Sequence, residues 1–89
     1  MIDTIRNIFG EDIFSGPKTR DRADKRLATY AFLRRVKDMT YIEIGRIVGR
    51  DHKTVMSGVE RFEGLMQSGD KKAKLIWEKI VSGYNVLQD

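Results

Sequence analysis

The side chains most capable of specific chemistry are gathered in one short run, Arg50-Asp51-His52-Lys53-Thr54. Arg50 can form two parallel hydrogen bonds to a phosphate or to guanine O6 and N7, while His52 and Lys53 can donate to base acceptors. Thr54 offers its hydroxyl to phosphate and its methyl group to thymine. These capacities are typical of a nucleic-acid contact, provided that the fold holds the run open to solvent.

Asp51 has two roles open to it. Its carboxylate could accept a hydrogen bond from cytosine N4, or it could cap a following helix by accepting from the first backbone N–H groups. We favour the cap, because a committed carboxylate has less capacity left for a base. Helix N-terminal amides can also hold a phosphate and so fix the register of binding without reading sequence.

Catalysis has little support in this sequence. His52 with Asp51 or Glu43 is the available acid–base pair, but no nucleophile or metal constellation accompanies it. Successive helical side chains point about 100° apart, so residues 51 and 52 are not expected to converge. One histidine and no cysteine are too few ligands for a zinc site. We therefore expect no enzyme, no metal, no cofactor and no small-molecule substrate.

Helical periodicity runs through the elements that must position this run. Ile5, Ile8 and Phe9 predict a first helix that ends at Gly10, and an exposed connection follows over residues 15–17. A long central helix is predicted over residues 22–38. Its buried stripe is expected to contain Ala28, Phe32, Val36 and Met39, widened by Leu27 and Ala31.

Three capping patterns divide the rest of the chain. Thr40-Tyr41-Ile42-Glu43 has the form of a capping box and predicts a short third helix that ends at Gly49. Asp51 and Asp70 are predicted to cap the fourth and fifth helices. The fourth helix is expected to bury Val55, Val59, Phe62 and Met66, and the fifth Ala73, Ile76, Trp77, Ile80, Tyr84 and Leu87. No segment has a period of two, so the fold is predicted to be an all-α bundle of about five helices.

Residues 40–66 have the pattern of a helix-turn-helix. Gly45 is expected to allow close approach of the two helices, and Gly49 to form the turn. Ile44, Val48 and Val55 occupy the positions where such a unit needs internal contacts. An ordinary helical hairpin within a bundle is the alternative that this pattern leaves open.

The net charge of +4 is concentrated in one segment. Residues 17–37 contain eight lysines and arginines but two aspartates, whereas the remaining segments are close to neutral. Such a segment attracts polyanions, above all nucleic-acid phosphates. A solvated helix face, or a surface that binds an anionic membrane, would account for the same pattern of charge.

Length and composition fit one folded domain over residues 1–89. The chain has 40% hydrophobic and 34% charged residues and one proline, which excludes a disordered or collagen-like chain. It contains no signal-like apolar run at its N-terminus and no stretch long enough to span a bilayer. We expect a protein of the cytoplasm, without a membrane partner.

The run from Ile42 to Val55 resembles the signature P-E-I-G-x-x-F-G-G-R-D-H-T-T-V of the C-terminal DNA-binding domain, domain IV, of the bacterial replication initiator DnaA. Asp12-Ile13-Phe14-Ser15 is similar to the family's D-L-L-S, and the resemblance covers roughly residues 4–66. It implies a helix-turn-helix in the major groove and a basic loop in the adjacent minor groove, at duplex elements called DnaA boxes. By matching position it implies a DNA-binding set of Lys18, Arg20, Arg26, Arg50, Asp51, His52, Lys53 and Thr54.

The sequence departs from that family at informative positions. Lys53 stands where the family usually has threonine, which exchanges a methyl group that contacts thymine for an ammonium that prefers guanine or phosphate. Val48 replaces a glycine in the turn, and Asp24 lies where some members have arginine. The chain has no room for the family's AAA+ ATPase domain, and no phosphate loop is found in it. We expect a stand-alone box-binding module in replication or transcription control, associated with the nucleoid.

A protein-interaction adaptor is the alternative function. The fifth helix carries Trp77 among four lysines, and an exposed tryptophan could anchor a replication or transcription protein. At helical spacing with Ile76 and Ile80, however, the indole is more often a core residue.

Overall fold

The computed structural model describes residues 2–10, 13–14 and 19–88, and within these ranges it contains five α-helices and no β-strand. The helices are α1 (Ile2–Phe9), α2 (Arg20–Arg35), α3 (Tyr41–Val48), α4 (His52–Gln67) and α5 (Lys71–Gln88). The predicted all-α bundle is confirmed. The predicted connection over residues 15–17, together with Lys18, lies outside the described residues.

Helix α2 is the centre of the bundle, since it packs against α3, α4 and α5. A helix covered from several sides buries more than a single stripe. Six consecutive residues of α2 are accordingly buried: Ala28, Thr29, Tyr30, Ala31, Phe32 and Leu33. The Thr29 hydroxyl donates to the Lys25 carbonyl oxygen at 2.8 Å, which satisfies this polar group inside the core. The sequence stripe predicts Ala28, Ala31 and Phe32 but not the other three.

The start of α2 is set by a threonine cap. Thr19 has extended backbone angles, and its Oγ1 accepts from the Arg22 amide at 3.2 Å. A threonine oxygen in this position satisfies one of the amides left unpaired at a helix start. The helix therefore begins at Arg20, two residues before the predicted start.

The end of α2 comes earlier than predicted. The helix ends at Arg35, Asp38 adopts a left-handed φ of 55°, and the Met39 amide donates to the Leu33 carbonyl oxygen at 3.1 Å. This turn directs the chain away from the helix axis. The prediction that Val36 belongs to the core is wrong, since Val36 is 50% exposed, whereas Met39 packs against the core as expected.

Helices α1 and α5 pack against each other at one side of α2. Ile5 and Phe9 of α1 are buried. The cap of α5 is confirmed, because Asp70 Oδ1 accepts from the Ala73 amide at 2.8 Å. The predicted inner stripe of α5 is confirmed: Ala73, Ile76 and Ile80 are buried, and Trp77 and Tyr84 are partly buried against the core. The side chain of Leu87 lies outside the described set.

An aromatic cluster joins α2, α4 and α5. The Trp77 ring centroid lies 6.2 Å from that of Phe32, in an edge-to-face arrangement, and 5.9 Å from that of Phe62, in a tilted one. Tyr84 lies 5.1 Å from Phe32. The core interpretation of Trp77 is therefore favoured over the exposed anchor. None of the helices in the described ranges combines the length and apolar character needed to cross a bilayer.

Candidate nucleic-acid interface

The first element of the candidate interface is a capping box at the start of α3. Thr40 Oγ1 accepts from the Glu43 amide at 3.1 Å, and Glu43 Oε1 accepts from the Thr40 amide at 3.0 Å. These hydrogen bonds hold the pKa of the Glu43 carboxyl below its usual value. The predicted box is confirmed, and it fixes where α3 begins.

The turn between α3 and α4 depends on two glycines. Gly49 has φ 72° and ψ 38°, which is the left-handed conformation, and the amides of Gly49 and Arg50 both donate to the Gly45 carbonyl oxygen. A β-carbon on Gly45 would lie 2.5 Å from the Arg50 carbonyl oxygen. Both roles predicted for these glycines are confirmed.

The internal contacts of the helix-turn-helix are also present. Ile44, Val48 and Val55 are all buried. Helices α3 and α4 pack against each other, and both contact α2. The turn and the start of α4 are therefore held by a packed apolar interior on one side, which leaves the other side to the polar run.

Asp51 is the N-cap of α4, as predicted. Its backbone is extended, with φ −63° and ψ 143°, and its Oδ1 accepts from the Lys53 amide at 3.0 Å. The same oxygen lies 3.1 Å from His52 Nδ1. The expectation that residues 51 and 52 diverge is wrong, because the 100° spacing holds only where both residues are helical and Asp51 is not.

The side chains of the predicted major-groove set are exposed together at the amino end of α4. Exposure is 63% for the Asp51 side chain and 51% for His52, and Arg50 Nη1 donates to the Gly49 carbonyl oxygen at 3.2 Å. The exposed members are Arg50, Asp51, His52, Lys53 and Thr54. Because Asp51 faces His52 Nδ1, the histidine Nε2 is the ring nitrogen available to another partner.

A cleft of about 310 Å³ separates this run from α2, and we call it the α2–α4 cleft. Arg26 of α2 and Arg50 and Thr54 of the polar run line it, so the structure brings part of the predicted loop set to the predicted major-groove set. The full lining is Ala23, Arg26, Leu27, Tyr30, Arg50, Thr54, Ser57, Gly58 and Arg61.

Arg26 has a structural contact as well as a place in the cleft. It is half-buried, and its Nε donates to the Ile13 carbonyl oxygen, which ties α2 to the segment after α1. A guanidinium has donors beyond Nε, on its two terminal nitrogens. Arg26 is thus held in one orientation at the wall of the cleft.

Arg20 lies on the same side of the molecule but in the adjoining depression, which we call the Lys72 cleft. This cleft is lined by Arg20, Asp24 and Lys72, among others, and it shares Arg61 with the α2–α4 cleft. A continuous surface therefore leads from Arg50 past Arg61 to Arg20. Lys18, the remaining predicted residue, is outside the described residues.

Acidic side chains partly neutralise the start of α2. Lys72 Nζ lies 3.7 Å from carboxylate oxygens of both Asp21 and Asp24, and Lys25 Nζ lies 2.8 Å from Asp21. The hydrogen bond from Lys25 lowers the pKa of the Asp21 carboxyl, and the charges of Lys25 and Lys72 act in the same direction. Asp24, which stands where some DnaA domains have arginine, is therefore close to a lysine of α5.

The basic segment of residues 17–37 does not form one patch. Helix α2 has 16 residues and a length of about 24 Å, so its two ends face different surroundings. At the far end, Arg35 donates to Glu63 through two hydrogen bonds of 2.9 Å, and Lys37 Nζ lies 2.6 Å from the Tyr84 hydroxyl oxygen. The positive charge that the sequence concentrates in one segment is therefore divided between two surroundings, and the cations near the polar run belong to the first half of α2 and to α4.

Arg61 and Ser57 are cleft residues that were not predicted from the sequence. They follow Thr54 by seven and three positions, which places them on the same face of α4. That spacing was visible in the sequence, but it becomes informative only once α2 is known to lie beside this face.

Comparisons with protein-family models, with curated proteins and with solved structures find no match to this chain. The likeness to DnaA domain IV therefore rests on the sequence motifs alone.

Proposed function

We propose that this protein binds double-stranded DNA in a sequence-specific manner, with the amino end of α4 in the major groove. Residues of the first half of α2 then approach the neighbouring backbone and minor groove. Given the resemblance to DnaA domain IV, the expected sites are similar to DnaA boxes, in replication or transcription control. The proposal is for a binding protein without catalysis or cofactor, associated with the nucleoid.

One observation carries this proposal: an exposed polar run stands on a turn with a helix cap on either side, beside a cleft lined by arginines. Recognition helices use their amino-terminal residues to reach base edges. The Asp51 cap and the Gly45 contact fix the backbone of the run before binding, so only its side chains have to be ordered, which favours affinity.

Each side chain of the run has a role in the proposal. Arg50 and Lys53 donate to guanine or to phosphate. His52 contacts the duplex through Nε2, which accepts a hydrogen bond in the tautomer whose Nδ1 proton faces Asp51. Thr54 contacts thymine or a phosphate. Asp51 acts mainly as a positioning residue, because its carboxylate is engaged with the Lys53 amide and with His52.

The decisive experiment is selection on a pool of random duplexes, followed by fluorescence anisotropy with the enriched duplex and a scrambled one at several salt concentrations. The proposal expects one enriched motif, bound at least about a thousandfold more tightly than the scrambled duplex. An asymmetric motif would indicate a monomer and a palindrome a dimer. No enriched motif together with salt-independent affinity would contradict the proposal.

A pair of double variants tests the location of binding. Arg50→Ala with Lys53→Ala removes two positive charges from the run, and Lys74→Ala with Lys79→Ala removes the same charge from exposed positions of α5. The first pair is expected to abolish the sequence preference, and the second to retain it. Equal losses in both would show that the run is not the recognition element.

A further inference from the structure

The α2–α4 cleft brings together three arginines without a carboxylate in its lining. Arg26 comes from α2, Arg50 from the turn, and Arg61 from two turns into α4. Like charges that share a cleft repel one another, and an anion between them removes this repulsion. Thr54 and Ser57 add hydroxyl groups to the same wall. This set of donors is the chemistry that recognises a phosphate group.

Arg61 of α4 and Arg35 of α2 differ in whether the guanidinium is paired with a carboxylate. Arg35 is paired with Glu63 through two hydrogen bonds of 2.9 Å. Arg61 is exposed and has neither a hydrogen bond nor an ion pair within the described ranges, although Glu60 precedes it in the chain. Its guanidinium can therefore bind a ligand without first breaking an internal contact.

The remaining parts of the cleft are positioned by a hydrogen bond and by close helix packing. Arg26 is oriented by its bond to the Ile13 carbonyl oxygen. The floor is formed where α2 and α4 come close, since a β-carbon on Gly58 would lie 2.7 Å from Tyr30 Cδ2. Tyr30 is 4% exposed; burial raises the pKa of its hydroxyl, while the charges of Arg50 and Arg26 oppose this shift. The positive charges of Arg26 and Arg50 are therefore close enough to influence the Tyr30 hydroxyl at the floor of the cleft.

We infer that the α2–α4 cleft binds one phosphodiester group of the DNA backbone, and that Arg61 and Ser57 are contact residues for it. This inference rests on the proposed function, because the duplex supplies the phosphate. Arg61 and Arg26 donate to the non-bridging oxygens, and the hydroxyls of Ser57 and Thr54 complete the site. Such a contact fixes the register of α4 in the major groove and does not itself read a base.

The test measures duplex affinity over a range of salt concentrations for the wild type, Arg61→Ala and Lys79→Ala. Arg61→Ala is expected to reduce the slope of log K against log salt by about 0.9 and to weaken all sequences alike, by about tenfold at low salt. Lys79→Ala, an equal charge change on an exposed site of α5, is expected to retain the wild-type slope. Circular dichroism checks that the variants are folded.

Methylphosphonate substitution identifies the phosphate itself. Neutralising single phosphates along the enriched duplex should reveal one position where the wild type loses affinity and Arg61→Ala does not. Ser57→Ala should show a smaller loss at the same position. If no position distinguishes Arg61→Ala from the wild type, the inference fails.

The outcomes separate this inference from the proposed function. A wild type that binds no duplex contradicts the proposed function, whereas a wild type that binds with a salt slope equal to that of Arg61→Ala contradicts the phosphate site alone. Free phosphate is the other source of the same chemistry. If titration with inorganic phosphate at constant ionic strength saturates the Arg61 side-chain resonances while the duplex slope of Arg61→Ala is unchanged, the assignment to the DNA backbone is overturned.

Discussion

The carbonyl oxygen of Arg50 lies 2.5 Å from the position that a β-carbon on Gly45 would occupy. The same two residues are joined in the other direction, because the Arg50 amide donates to the Gly45 carbonyl oxygen at 2.9 Å. The chain thus folds back onto α3 at Gly45 immediately before α4 begins. The position of the polar run depends on this contact between two backbone segments. A change of side-chain rotamer cannot make room for a β-carbon here, because the neighbouring atom belongs to the backbone.

Replacement of Gly45 tests that contact. Gly45→Ala forces backbone atoms apart and is expected to lower the free energy of unfolding by about 1–3 kcal/mol, and to reduce DNA affinity because the start of α4 must shift. Gly64→Ala is the matched control: Gly64 is helical and exposed with nothing within 4 Å of its added β-carbon, so alanine should stabilise the protein by up to about 1 kcal/mol. Urea denaturation measures both. Equal stability of Gly45→Ala and the wild type would contradict the close approach.

The capping box of α3 predicts a loss of stability when its hydroxyl is removed. Thr40→Ala should cost about 1 kcal/mol, because the Glu43 amide loses its acceptor. Thr40→Ser retains the oxygen and should restore most of the loss. If Thr40→Ser is as unstable as Thr40→Ala, the hydrogen bond is not the cause.

The same box predicts a dependence of stability on pH. The pKa of Glu43 is lowered in the folded protein, so its contribution is complete above the pKa of the unfolded chain and is lost as the pH falls through the lower, folded value. Glu43→Gln keeps the hydrogen-bond acceptor but cannot titrate. Unfolding free energies from about pH 7 down to about pH 3 should therefore fall more steeply for the wild type than for Glu43→Gln. If the two curves of unfolding free energy against pH are parallel, Glu43 does not contribute to the acid dependence of stability.

Replacement of Lys53 is expected to change the DNA sequence that the protein prefers. Lys53→Thr restores the residue usual at this position in DnaA domains and exchanges an ammonium for a methyl group and a hydroxyl. Parallel selections should yield motifs that differ at one base pair or its neighbour, with discrimination worth about 1–3 kcal/mol. Identical motifs for both proteins would mean that Lys53 faces a phosphate or solvent.

Replacement of Arg20 is expected to have the opposite effect, an equal loss of affinity for all DNA sequences. It lies in the Lys72 cleft, away from the polar run, and is exposed. Arg20→Ala should weaken binding to every duplex by the same factor and flatten the salt dependence by about 0.9, since one phosphate contact is removed. A change in the selected motif would instead assign a base contact to Arg20.

The local parts of the architecture were predictable because their causes lie within a few residues. The Thr40 box, the Gly49 turn and the caps at Asp51 and Asp70 all follow from a side chain and a backbone amide nearby in sequence. The exposure of the polar run agrees with its polarity. These features define where α3, α4 and α5 begin.

The parts that failed depend on packing between distant segments. Val36 fits the helical stripe, but α2 ends at Arg35 and the chain turns at the left-handed Asp38, so Val36 stays 50% exposed. The basic segment divides because Arg35 meets Glu63 of another helix. Arg61 is a candidate contact because α2 closes a cleft against its face of α4, and no single-helix pattern contains that information.

The short connection at Gly49 and Arg50 also sets the rotational phase of α4. Each helical residue advances the side-chain direction by about 100°. Inserting or deleting one residue here would rotate α4 about its axis and change the direction of Lys53 and Thr54 together. The buried apolar contacts of α4 would oppose that rotation. Altered binding preferences should therefore be sought by exchanging side chains at fixed loop length, and length variants should serve as inactive reference proteins.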